Sequence, residues 1–132
     1  MTEDLSELLF DPTEANVAMA LGALKRVIGI DPATGNVHPI AEFDRLSGRA
    51  KVAALALGVS AAVQLGKRDR DAVDAATLVE WSGLAPGSVR RDLSALAKKR
   101  LLSQPGRGQY SVPGHAVRRL ADLIEEELSR DR

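Results

Sequence analysis

The sequence predicts a mostly α-helical protein carrying one small β element in its C-terminal half. Apolar residues recur three and four apart through several stretches, and the breaks between them are crowded with Gly, Pro, Asp and Asn. The β element is signalled by the compact run Pro105-Gly106-Arg107-Gly108, which separates two short segments, Leu101–Gln104 and Gln109–Val112, that read as strands. At 132 residues the chain has the size of one domain, with or without a helical extension. Aromatic residues make up only 3% of it, so the core must be assembled from Leu, Val, Ile and Ala. The lack of cysteine excludes disulfides, thiolate catalysis and cysteine-ligated metals.

Met1–Leu9 is acidic and gives no basic-then-apolar leader, and a small apolar cluster follows at Leu8–Phe10. Asp11-Pro12-Thr13-Glu14 is a helix start, with a side-chain acceptor, a proline suited to the first turn and an acid at the positive end. Val17, Leu21, Leu24 and Ile28 then mark one face of a helix ending near Gly29. Asp31–Asn36 is dense in turn formers and is flanked by Ile28–Ile30 and Val37–Ile40, which reads as a short hairpin or a tight loop. Ser47 caps the next helix, whose Val52, Leu55, Ala56, Val59 and Val63 alternate with small residues that let neighbours approach closely. This is the expected central, most buried helix, ending at Gly66. Its apolar run, Val52–Val63, is too short to span a bilayer, so no membrane association and a soluble, cytoplasmic protein are expected. Lys67–Asp71 is a charged surface link. The expected organisation is an N-terminal helical extension over residues 1–46 and a domain over residues 47–132.

Charge is unevenly spread although the formal net charge is zero. Residues 1–66 carry five bases against eight acids, and residues 67–132 carry thirteen bases against ten acids. Between Pro86 and Arg119 there are eight bases and a single acid, Asp92, a net of +7. Such a concentration is a candidate polyanion footprint; the plainer reading is that these side chains solvate helix surfaces.

The stretch from Asp74 to Val112 has the most specific pattern. Asp74 caps a short helix, Ala75–Ser82, with Leu78 and Val79 facing inward. Gly83-Leu84 forms the turn, Gly83 tolerating a positive φ and Leu84 plugging into the core. Pro86 stands at the first position of the following helix. At about 100° per residue, Val89, Leu93 and Leu96 share one side. Gly87, Arg91, Ser94 and Lys98 lie on the other, flanked by Ser88, Arg90 and Ala95, while Asp92 points aside. After the β element, His115–Leu128 is a last helix with Val117, Leu120, Ala121, Ile124 and Leu128 along one stripe.

This succession resembles the winged helix-turn-helix superfamily over Ser47 to about Leu128. The residues that carry the resemblance are Leu78, Val79, Gly83, Leu84, Pro86-Gly87-Ser88-Val89-Arg90-Arg91-Asp92-Leu93, Leu96, Leu101-Leu102 and Gly106-Arg107-Gly108-Gln109-Tyr110. Two positions depart from the pattern: Val79 stands where Ala is usual, and Ser82 where an apolar residue is common before the turn glycine. The resemblance implies DNA binding, with the second helix of the unit in the major groove and the wing on the adjacent backbone. Gly87, Ser88, Arg90, Arg91, Ser94, Lys98 and Arg107 are the expected DNA-binding residues. Ser88 and the free amides after Ala85 offer a phosphate site, Arg90 and Arg91 reach base edges, and Gly87 allows close backbone approach. Lys98 and Arg107 meet phosphates.

The expected function is a DNA-binding transcriptional regulator, acting on double-stranded DNA as a homodimer through its C-terminal or N-terminal helix. The alternative is a winged-helix adaptor that docks a protein partner without touching DNA, with Trp81 as one anchor. An enzyme is not expected: Ser60, Ser103 and Ser111 lack a His–Asp context, and the three carboxylates Glu125–Glu127 diverge around a helix. His38 and His115 have no companion ligands at metal spacing, so neither metal nor cofactor is expected. Gly106-Arg107-Gly108 is a turn, without the strand–turn–helix context of a dinucleotide fingerprint.

Overall fold

The computed structural model describes residues 17–130; the helix start expected at Asp11–Glu14 and the apolar cluster Leu8–Phe10 lie outside them. A 3₁₀ turn at Val17–Ala20 leads into α1, a single turn over Leu21–Leu24. The longer helix expected to run to Gly29 is thus corrected. Arg26 N–H bonds Ala23 O and Val27 N–H bonds Leu24 O, three residues back, so the coil tightens and stops. Ile28–Ile30 then becomes strand β1. The β-branched run Val27-Ile28 favours this outcome, and so does packing: Leu21, placed by spacing on the inner face, is 61% exposed, whereas Ala20, Ala23 and Leu24 are buried.

Strand β1 pairs antiparallel with β2 (Val37–Pro39) in the register Ile28↔Pro39, Gly29↔His38 and Ile30↔Val37. The expected turn is therefore a true hairpin. Asp31 closes its loop by accepting from Ala33 N–H at 2.8 Å and Thr34 N–H at 3.4 Å, which holds its carboxyl below the ordinary carboxylate range. A 3₁₀ segment at Ala41–Arg45, not anticipated from the sequence, buries Phe43. Glu42 in that segment pairs with Arg26 and Arg45, tying it to the chain just before β1.

Helix α2 (Gly48–Gln64) is the axis of the molecule, with eleven of its residues buried. Its start is capped twice. Ser47 Oγ accepts from Ala50 N–H at 3.2 Å and donates to Glu127 Oε2 at 2.7 Å, while Glu127 Oε1 accepts from Ser47 N–H at 2.7 Å. A capping box normally draws its carboxylate from three residues into the same helix; here that position is Ala50 and the carboxylate arrives from the far end of the chain. The hairpin lies on Gly58 at the middle of α2. A Cβ there would fall 2.6 Å from Ile28 Cδ1 and 2.7 Å from Val37 Cγ1.

Beyond α2, β3 (Val73–Asp74) precedes α3 (Ala75–Ser82) and α4 (Pro86–Lys98), followed by β4 (Ser103–Gly106), β5 (Gln109–Ser111), a 3₁₀ turn at Gly114–Ala116 and α5 (Val117–Arg130). The second sheet has three antiparallel strands in the order β3-β5-β4. Strand β3 escapes a sequence reading because two residues show no alternation. The first expected strand is shifted: Leu101 and Leu102 are buried anchors ahead of it, pairing starts at Ser103 and reaches Gly106, and only Arg107-Gly108 turns. His115 belongs to the 3₁₀ turn and α5 starts at Val117. One continuous core runs from Val17 to Leu128 through α2, α4, α5 and the first hairpin. No helix among the described residues is long and apolar enough to cross a membrane.

Gly58→Ala is expected to lower stability in urea unfolding. The exchange brings a helix-propensity gain of about 1 kcal/mol. Overpacking against the stiff Val37 side chain costs about 1–3 kcal/mol and outweighs it.

Candidate nucleic-acid interface

Local chemistry sets the direction of α3 and α4. Asp74 accepts from Thr77 N–H at 2.9 Å and caps α3. The Thr77 side chain and backbone together hold the Asp74 carboxyl below the usual carboxylate range. Gly83, at φ 75°, ends α3 by donating its N–H to Val79 O; a left-handed residue is the usual helix terminator. Ser82, which departs from the resembled pattern, has a use in the turn: its Oγ accepts from Leu84 N–H at 3.1 Å. Pro86 occupies the first turn of α4, and Ala85 gives that helix no side-chain cap.

Val89, Leu93 and Leu96 are fully buried on one side of α4, where it packs on α2. That anchoring turns Gly87, Arg91, Ser94 and Lys98 outward, and all four are exposed, as is Arg90 at the flank. From Gly87 to Lys98 the stripe runs for roughly 16 Å at the standard rise per residue. Arg107 is exposed at the tip of the β4–β5 turn. Ion pairs among the described residues involve Arg26, Arg45 and Arg130, and none involves Arg90, Arg91, Lys98 or Arg107. Asp92, the only acid between Pro86 and Arg119, is half-buried against the start of α2, its Oδ2 2.7 Å from where a Cβ on Gly48 would stand. It therefore sits at the positive end of α2 rather than among the outward cations.

Ser88 is half-buried and differs from its neighbours. With Arg91 and Asp92 it lines a polar cleft of about 520 Å³ that also takes in Ser47, Arg49 and Glu127. Arg49 is missing from the sequence reading, which has no means of knowing that the α2 start reaches α4. Its Nε is buried without a hydrogen-bond partner. Val79, with Ala75, Ala76, Pro86 and Arg90, lines a shallow cleft of about 400 Å³ between α3 and α4. Trp81 packs at the edge of the core, with the Arg68 guanidinium 5.6 Å from its ring.

Among the described residues no group of His, Asp and Glu is arranged to hold a metal ion. His38 is exposed on β2, and His115 donates its Nε2–H to Arg100 O at 3.1 Å. Comparison with protein-family models, with curated proteins and with solved structures gives no match for this chain.

Because Asp74 has a lowered folded-state pKa, its contribution is present above the unfolded carboxylate pKa and is lost as pH falls through the folded value. Asp74→Asn keeps an acceptor at the cap, so stability near neutral pH should change little, while the acid limb of thermal melts recorded from pH 6 to pH 2 should flatten, each pH being about a unit apart. An unchanged acid limb would show that the cap contributes nothing to it.

Proposed function

We propose that this chain is a winged helix-turn-helix protein that binds double-stranded DNA, laying α4 in the major groove and the Arg107 turn on the flanking backbone. The observation that carries the reading is the outward stripe of α4: Arg91 and Lys98, with Gly87 and Ser94 between and before them, stand exposed and without acidic partners among the described residues. An α-helix fits the major groove, and guanidinium groups pair with guanine edges there. The order α2, β3, α3, α4, β4, β5 and the three-stranded sheet supply the frame such a unit requires. Amides at the uncapped start of α4 suit a phosphate. A regulator of transcription in the cytoplasm, binding rather than catalytic, is the role in which these parts are used together.

A titration of labelled duplex at low and moderate salt tests this. Wild-type binding should weaken steeply as salt rises. Arg90→Ala with Arg91→Ala should cost about 1–3 kcal/mol for each lost base contact, whereas Lys98→Ala should chiefly reduce the salt slope by about one. Absence of binding at low salt overturns the reading.

A second reading, docking of a protein partner or of another copy, is favoured by one observation. Leu21 and Leu65, 61% and 64% exposed, border an apolar cleft of about 330 Å³ between α1, β1 and the end of α2. In that case Leu21→Asp with Leu65→Asp should reduce self-association in sedimentation, while Arg90→Ala and Arg91→Ala leave it unchanged.

A further inference from the structure

Two helix ends can be compared directly. At the end of α2, Lys67 N–H bonds Ala62 O at 2.8 Å and Gly66 N–H bonds Val63 O at 3.0 Å, with Gly66 at φ 75°. At the end of α4 the same pair of bonds recurs, Leu101 N–H to Leu96 O at 2.9 Å and Arg100 N–H to Ala97 O at 3.0 Å. There the left-handed position is held by Arg100, at φ 62°. Glycine is the unstrained residue at such a position, and any side chain there is a cost to the fold. His115 fixes this corner through its hydrogen bond to Arg100 O, bringing the start of α5 beside it.

A second local preference is broken at the same place. The first turn of α5 contains no acid, although acids are favoured there, and carries Arg118 and Arg119 instead. Lys98, Lys99, Arg100, Arg118 and Arg119 are all exposed, and none forms an ion pair among the described residues. Asp122, one turn beyond Arg118, is exposed and not paired with it. Like charge at the head of α5 opposes stability and is offset by a ligand that brings negative charge, whereas the backbone strain at Arg100 is a standing cost of keeping an arginine rather than a glycine at that corner.

We propose that the junction of α4 and α5 is a second phosphate-contact surface, which takes the sugar-phosphate backbone of the duplex beyond the stretch covered by the α4 stripe. The assignment rests on the DNA-binding reading above and adds Lys99, Arg100, Arg118 and Arg119 to its contacts.

Two variants of the full chain test it, Arg100→Gly and the pair Arg118→Glu with Arg119→Glu. Arg100→Gly should raise the thermal midpoint and the pair should not lower it, yet both should weaken duplex binding. The salt slope should fall by about one for each phosphate contact removed; Arg100→Lys should keep most of the affinity. Wild-type affinity and slope in these variants, with Lys98→Ala still weakened, overturn this inference alone. A loss of affinity seen only in step with loss of folded protein also overturns it. Absence of duplex binding by the wild type overturns both this inference and the reading beneath it.

Discussion

Enclosure of α2 is the constraint on which the remaining structure depends. A helix surrounded on every side must present small side chains where neighbours press closest, and α2 does so with its alanines and with Gly58. The first hairpin reaches the core through Gly58, α4 through Val89, Leu93 and Leu96, and α5 through Val117, Leu120 and Ile124. With so few aromatic side chains, close approach of backbones takes the place of bulky fillers. The start of α2 is secured from outside by Glu127, so the last helix and the first long one are locked end to end.

This enclosure also determines the electrostatics of the surface. Because α4 gives its apolar side to α2, its cations have nowhere to go but outward. Asp92 is drawn to the start of α2, and Glu127 is engaged with Ser47. Two described acids of the N-terminal half are engaged within it: Glu42 holds Arg26 and Arg45, and Asp31 closes its own loop. Among the described residues no acid pairs with the cations of the α4 stripe, although the whole chain has zero net charge, and an unpaired cationic stripe attracts a polyanion at a distance.

Sequence-level inference succeeded where one structural fact has a local cause. Asp74 as a cap, Gly83 in a left-handed turn and Pro86 at a helix start each depend on a few neighbouring residues. The outward placement of Arg91, Ser94 and Lys98 follows from helical periodicity once Val89, Leu93 and Leu96 are assigned to the core. Inference failed where the deciding partner is distant. Ile28 satisfies a helical spacing, yet its pairing with Pro39 and its contact at Gly58 make it a strand residue. Strand β3 exists because β5 is there to pair with it.

The caps at Ser47 and Asp74, the left-handed turn at Gly83 and the concentration of positive charge between Pro86 and Arg119 were therefore determined by the sequence alone, since each depends on residue types within a short stretch. Tertiary structure decided the rest: that the α1 segment is a single turn, that Ser88 and Arg91 share a cleft with Arg49 and Glu127, and that Arg100 stands in a left-handed corner whose carbonyl is held by His115. These depend on which surfaces meet, and that is fixed only when residues far apart in the chain are packed together around α2.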